Sequence, residues 1–173
     1  MNAETERFIT FPVRDFRLPS YEEIPDVGLY LEQTTSYINS YLAGMPGMEL
    51  TGSMVSNYVK KGLIPKSVRK QYDRDQIAYL FFIAIAKSVL SMDNIQLFIA
   101  RQKASYLAPV AYDYFCQELN NVLEYVYGKK NAMEKLGTTS SQEKMMLRNT
   151  VITIAHKIFL EQYFDAIRHN SIK

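Results

Sequence analysis

The 173-residue chain has one cysteine, Cys116, so no intramolecular disulfide can form and no second thiol is available to share a metal. A reducing, cytoplasmic setting is the expectation. The chain also lacks a long apolar run. Its most hydrophobic stretch, "IAYLFFIAIAKSVL" at 77–90, is interrupted by Lys87 and falls short of the roughly 18 to 20 residues that a bilayer crossing needs. A buried central helix is expected there, and no membrane partner. The opening "MNAETERFITFPVRDF" places acids early and has no apolar centre, which does not read as a secretory signal.

Catalytic patterns are missing as well. There is no glycine-rich phosphate loop and no His-Glu zinc helix. His156 and His169 lie thirteen positions apart on an expected helix, too far to share a metal. Cys116 has no nearby histidine and reads as a buried, inert thiol. Glu22 and Glu23 are adjacent and do not share a face of regular structure. No enzyme, cofactor or metal site is expected.

What the chain does have is apolar content and a focused charge. Hydrophobic residues make up 47% of it, ample for one compact domain or two small units sharing a core. The net charge is only +2, yet residues 51–74 hold Lys60, Lys61, Lys66, Arg69, Lys70 and Arg74 against the single acid Asp73. That segment carries +5 and the remainder −3. A focused basic patch points to a polyanionic partner.

Along the chain, Pro12, Pro19 and Pro25 oppose a long helix in residues 1–28. That segment is expected as an arm packed on the body through Phe8, Ile9, Phe11, Phe16 and Leu18. Helical spacing follows at 29–42 and is stopped by "AGMPGM". Thr51 is placed to cap a short second helix over 52–61, with Gly62 and then Pro65 as its stops. "PKSVRKQY" reads as a loop or small β-wing, and Asp73 with Gln76 forms a capping box for a helix over 74–90. Ser91 restarts the chain into a fourth helix. Longer helices are expected at 108–127 and 142–169, the last opened by a capping box of Ser140 and Glu143. No internal repeat and no strand alternation of useful length appears. The expected fold is all-α with a small β-wing.

On a helix over 52–61, Val55 and Val59 face inward, while Ser53, Asn57 and Lys60 share another face. Small polar groups and a cation suit the major groove, where Ser and Asn reach base edges and Lys neutralises phosphate. A merely solvated helix face is the alternative. The order of helix, turn, short basic helix, basic loop and capped helix is the order of a winged helix-turn-helix. Lys61, Lys66, Arg69, Lys70 and Arg74 would then hold phosphates, with Tyr72 bracing the wing. About six phosphate contacts predict a slope of log affinity against log salt of about −5 per subunit.

The stretch "SNYVKKGLIPKSVRKQYDRDQIAYLFFI" resembles the MerR-type signature. The resemblance implies a recognition helix bearing Ser56, Asn57, Tyr58, Lys60 and Lys61, and a wing bearing Lys70 and Tyr72. Ser56 and Lys70 stand where MerR proteins usually carry arginine. More of the chain, through "IPDVGLYLEQTTSYINSYL", "LTGSMVSNYVKKGLIP" and "YDRDQIAYLFFIAIAKSVLSMDNI", is similar to a bacterial domain family of unknown function, number 1836, regarded as MerR-like. That similarity implies a winged helix-turn-helix at 29–100 and double-stranded DNA as partner. The expected base-reading face is Ser53, Ser56, Asn57, Tyr58 and Lys60. A homodimer is expected on two half-sites, although the tail shows no sustained heptads with charged e and g positions.

Residues 101–173 form the remaining unit, a helical assembly or effector region rich in tyrosine and methionine. Those side chains could wall an effector pocket or simply fill a core or dimer interface. Two rival functions follow from that region. One is a protein-interaction module, the other a small-molecule sensor.

Overall fold

The computed structural model describes residues 16–137 and 139–168. Phe8, Ile9, Phe11 and Pro12 of the expected arm, and His169, lie outside the described residues. The chain runs through a one-turn 3-10 helix (Tyr21–Glu23), strand β1 (Leu29–Tyr30), helix α1 (Leu31–Leu42), helix α2 (Gly52–Lys60) and strand β2 (Gln71–Tyr72). Helices α3 (Arg74–Ala86), α4 (Met92–Ser105), α5 (Ala108–Val126) and α6 (Gln142–Arg168) follow. The fold is mostly helical with one small antiparallel sheet, in which Leu29 faces Tyr72 and Tyr30 faces Gln71.

Side-chain caps set several of the helix starts. Thr51 Oγ1 accepts from the Met54 N–H at 3.3 Å, Ser91 Oγ from Asn94 at 3.2 Å, and Asp73 and Gln76 close a reciprocal capping box. Two expected boundaries are corrected. Helix α3 stops at Ala86 rather than at 90, because the Ser88 hydroxyl takes the Ile85 carbonyl at 2.8 Å and the chain tightens into a turn. Helix α6 is capped by Ser141 rather than Ser140, since it is Ser141 Oγ that accepts from the Lys144 N–H at 3.2 Å.

Helix α3 is the centre of the molecule. Ten of its thirteen residues are buried, as an element apolar on every side must be. Phe81 meets Tyr37 and Tyr41 of α1 edge-on, with centroids 6.0 and 5.8 Å away, and Tyr112 of α5 at 6.0 Å. Phe82 meets Phe98 of α4 and Phe115 of α5 at 4.9 and 5.4 Å. One continuous core runs from Leu18 to Ile158, so the regions before and after residue 100 share it. No helix among the described residues is long and apolar enough to cross a membrane.

The segment before β1 is held to the body by Leu18 and Ile24, both buried, and by the Tyr21 N–H donating to Asp113 Oδ1 at 2.8 Å. Cys116 lies beneath it with its Sγ 3.8 Å from the Pro19 carbonyl, and burial pushes its thiol up to about 12. It is an inert packing group.

Between α5 and α6, Glu118 has no exposed surface and no well-aligned hydrogen-bond donor on either oxygen. Burial raises its carboxyl above the usual range, and Arg148 at 3.1 Å pulls partly the other way. Arg148 is itself anchored on the Glu134 carbonyl at 3.0 Å. At low pH the carboxyl is protonated in both the folded and unfolded states and costs nothing. As pH rises past the ordinary glutamate value the unfolded chain releases the proton first, so stability falls. The urea midpoint of Glu118→Gln minus that of wild type is therefore expected to grow as pH rises past the ordinary glutamate value.

Candidate nucleic-acid interface

Helix α2 is fixed at both ends by bonds that leave its outer face free. At its start, the Asn39 side chain bonds both backbone groups of Leu50, donating to the carbonyl at 2.9 Å and accepting from the N–H at 2.8 Å. At its end, the Leu63 N–H reaches the Tyr58 carbonyl at 2.9 Å and the Gly62 N–H reaches the Val59 carbonyl at 3.0 Å. This is a Schellman closure, which needs a left-handed residue, and Gly62 supplies it at φ 74°. From the far side, Gln96 of α4 donates to the Lys61 carbonyl at 3.2 Å.

The inward side of α2 is Val55 and Tyr58, with Val59 only partly covered. Ser53, Met54, Ser56, Asn57 and Lys60 are exposed. Tyr58 therefore leaves the expected base-reading face. Its ring is 3% exposed and packs in the core, three residues on from Val55, and burial raises its hydroxyl pKa. Ser56 stays outside, but its hydroxyl already donates to the Gly52 carbonyl at 2.9 Å and is left as an acceptor. Ser53 shares a hydroxyl contact with Thr51 at 2.9 Å.

Beyond Gly62 the chain makes a two-residue hairpin. The Val68 and Gln71 backbones exchange both hydrogen bonds, at 3.0 and 2.9 Å, with Arg69 and Lys70 at the tip. Both tip residues have positive φ, 51° and 65°. That is the pattern of a type I′ turn, normally made by Asn-Gly or Asp-Gly. A non-glycine residue there costs about 1–2 kcal/mol, so the chain presents two cations on a strained tip. The hairpin base is held by Gln76, which donates to the Pro65 carbonyl at 2.9 Å, and by Gln71, which donates to the Gly28 carbonyl at 3.1 Å. Gly28 is required for that approach, because a Cβ there would stand 2.8 Å from the Gln71 Cβ. Tyr72 is buried at 6% exposure and pairs with Leu29.

Arg74 is not a free cation. It opens α3 with its side chain largely covered, pairs with Glu22 at 2.9 Å and lies over the Tyr21 ring at 5.4 Å. Its expected phosphate role is withdrawn on that geometry. Lys60, Lys61, Lys66, Arg69 and Lys70 are exposed and have no acidic partner among the described residues. The sequence gives no sign of the structural roles of Asn39, Gln96 and Gly28, or of the bond from Gln76 to the hairpin. Of these only Gln76 carried a local signal, its capping-box spacing.

Among the described residues, no group of three or more His, Cys, Asp or Glu converges on a point that could hold a metal. A protein-family model described as "Domain of unknown function (DUF1836)" matches residues 19–115. The chain belongs to this family. The DUF1836 span takes in both strands, α1 through α4 and the first half of α5. It therefore contains every residue of α2 and of the hairpin. No curated protein and no solved structure matches the chain.

Proposed function

We propose that this DUF1836 protein is a transcriptional regulator that binds double-stranded DNA through a MerR-like winged helix-turn-helix at residues 29–100. In this reading α2 enters the major groove, where Ser53, Ser56, Asn57 and Lys60 meet base edges. The hairpin is the wing, with Lys61, Lys66, Arg69 and Lys70 on adjacent phosphates and Tyr72 as its brace. The observation that carries the proposal is charge left unpaired: five cations within residues 60–70 have no acidic partner among the described residues, whereas Arg17, Arg74 and Arg148 are ion-paired. A protein gains nothing in stability from concentrating like charge. A polyanion supplies the missing partner.

Residues 101–173 serve assembly in this proposal. One small helix covers too little DNA for tight specificity, so two copies would read two half-sites. Leu160, Phe164 and Ile167 of α6 support a homodimer, since they recur at i, i+4 and i+7 and are 51%, 51% and 43% exposed.

The test is binding of the purified protein to mixed genomic duplex DNA across a salt series. With Arg74 withdrawn, and with Lys60 neutralising a phosphate at the edge of the groove beside Lys61, Lys66, Arg69 and Lys70, five cations per subunit predict a slope of log affinity against log salt of about −4.5. Replacing Lys66, Arg69 and Lys70 by alanine is expected to flatten it to about −2. A folded wild type that shows no binding at low salt would overturn the reading and bring forward the protein-interaction alternative.

A further inference from the structure

A second site stands apart from the basic surface. Helices α4 and α5 and the first turn of α6 enclose a cleft of about 130 Å³. Its wall is mostly apolar, from Phe98, Val110, Tyr114 and Leu147. Glu143 and Lys144 also line it, and neither has an ion-pair partner among the described residues. Lys144 is instead held in place by neutral groups. Its Nζ donates to the carbonyl and the hydroxyl of Thr139, both at 3.2 Å, and lies 5.1 Å from the centroid of the Tyr114 ring. Gln102 and the Tyr106 hydroxyl add hydrogen-bonding groups, the latter 3.2 Å from Ser141 Oγ.

The size fits a single ring or a short branched chain, since an apolar cavity of about 150 Å³ accepts benzene. The charges narrow the class further. A simple carboxylate would meet Glu143, and a simple amine would meet Lys144. A molecule carrying both charges and an apolar side chain leaves no group opposed. We propose that this cleft binds a free α-amino acid with an apolar side chain, its carboxylate on Lys144, its ammonium on Glu143 and its side chain against Phe98, Tyr114 and Leu147. The few polar groups set on an apolar wall are the usual make-up of a small-molecule site. The inference does not rest on the DNA reading.

Isothermal titration of the full chain, without DNA, tests it with L-phenylalanine and L-leucine as probes. Phenylpropionate lacks the ammonium and phenethylamine lacks the carboxylate, and each is expected to bind at least about ten-fold more weakly than L-phenylalanine, the loss of one charge-assisted bond. Lys144→Met keeps the aliphatic stem over Tyr114 and is expected to lose amino-acid binding, as is Glu143→Gln. Val110→Trp fills the cleft from an exposed position without touching either charge, and should abolish binding in a folded protein. No heat from either amino acid with folded wild type overturns the proposal. So does binding of either single-charge analogue as tightly as L-phenylalanine, or unchanged binding by Val110→Trp.

Discussion

Replacing Arg69 by Asn and Lys70 by Gly is expected to make the protein more stable and, under the proposed function, to weaken its binding to DNA. Both residues sit in left-handed backbone at the hairpin tip, where Asn-Gly is the favoured pair and a long side chain is strained. Relieving that strain is expected to add about 1–2 kcal/mol, a rise in melting temperature of about 3–6 °C for a chain of this length. The same double substitution removes two cations. Under the proposed reading that lowers the salt slope by about 1.8 and weakens binding about 50-fold near 0.1 M salt. Thermal melts and the salt series, run on the same preparation, read the two effects with opposite sign. A hairpin kept only for structure would gain stability and leave the salt slope unchanged.

Phe81→Ala is expected to cost about 3–5 kcal/mol, a large part of the roughly 5–15 kcal/mol by which a domain is usually stable. Phe81 is fully buried on α3, and its ring touches Tyr37 and Tyr41 on one side and Tyr112 on the other. Three aromatic rings converge on it from two other helices, so the void left by alanine cannot be filled by a single side-chain rotation. The melting temperature is expected to fall by about 10–15 °C. Leu97→Ala, on α4 with 64% of its surface exposed, is the control and should change stability by less than about 0.5 kcal/mol. A Phe81→Ala protein that melts like the control would mean that α1 and α5 do not share the core drawn here.

These two sites show what could be read from the chain and what could not. The burial of α3 was visible because its residues are apolar at every angle, and the helix starts were visible because Thr51, Asp73 and Ser91 act on backbone groups three residues away. Local chemistry of that kind is written in adjacent letters. The inward face of α2 was not, because Val55 with Val59 and Val55 with Tyr58 are both valid helical spacings and only the position of the core chooses between them. Arg74 looked like part of the basic run because its partner Glu22 lies 52 residues earlier. The hairpin tip was hidden for the opposite reason. Arg-Lys is a poor type I′ pair, so its geometry is imposed by Gln71 and Gln76 holding the base rather than by the turn residues themselves.

The bond from Tyr21 to Asp113 and the contact of Pro19 with Cys116 have a consequence for the order of synthesis. The family match runs from 19 to 115, and these contacts tie its two ends together. During translation, the segment around Tyr21 leaves the ribosome long before the part of α5 that receives it. Helix α3 emerges in the interval, apolar on every side and without the α5 rings that will cover Phe81 and Phe82. The nascent chain thus carries a strongly apolar helix only partly covered, by α1 and then α4, until α5 is made, and the ends of the family unit close last.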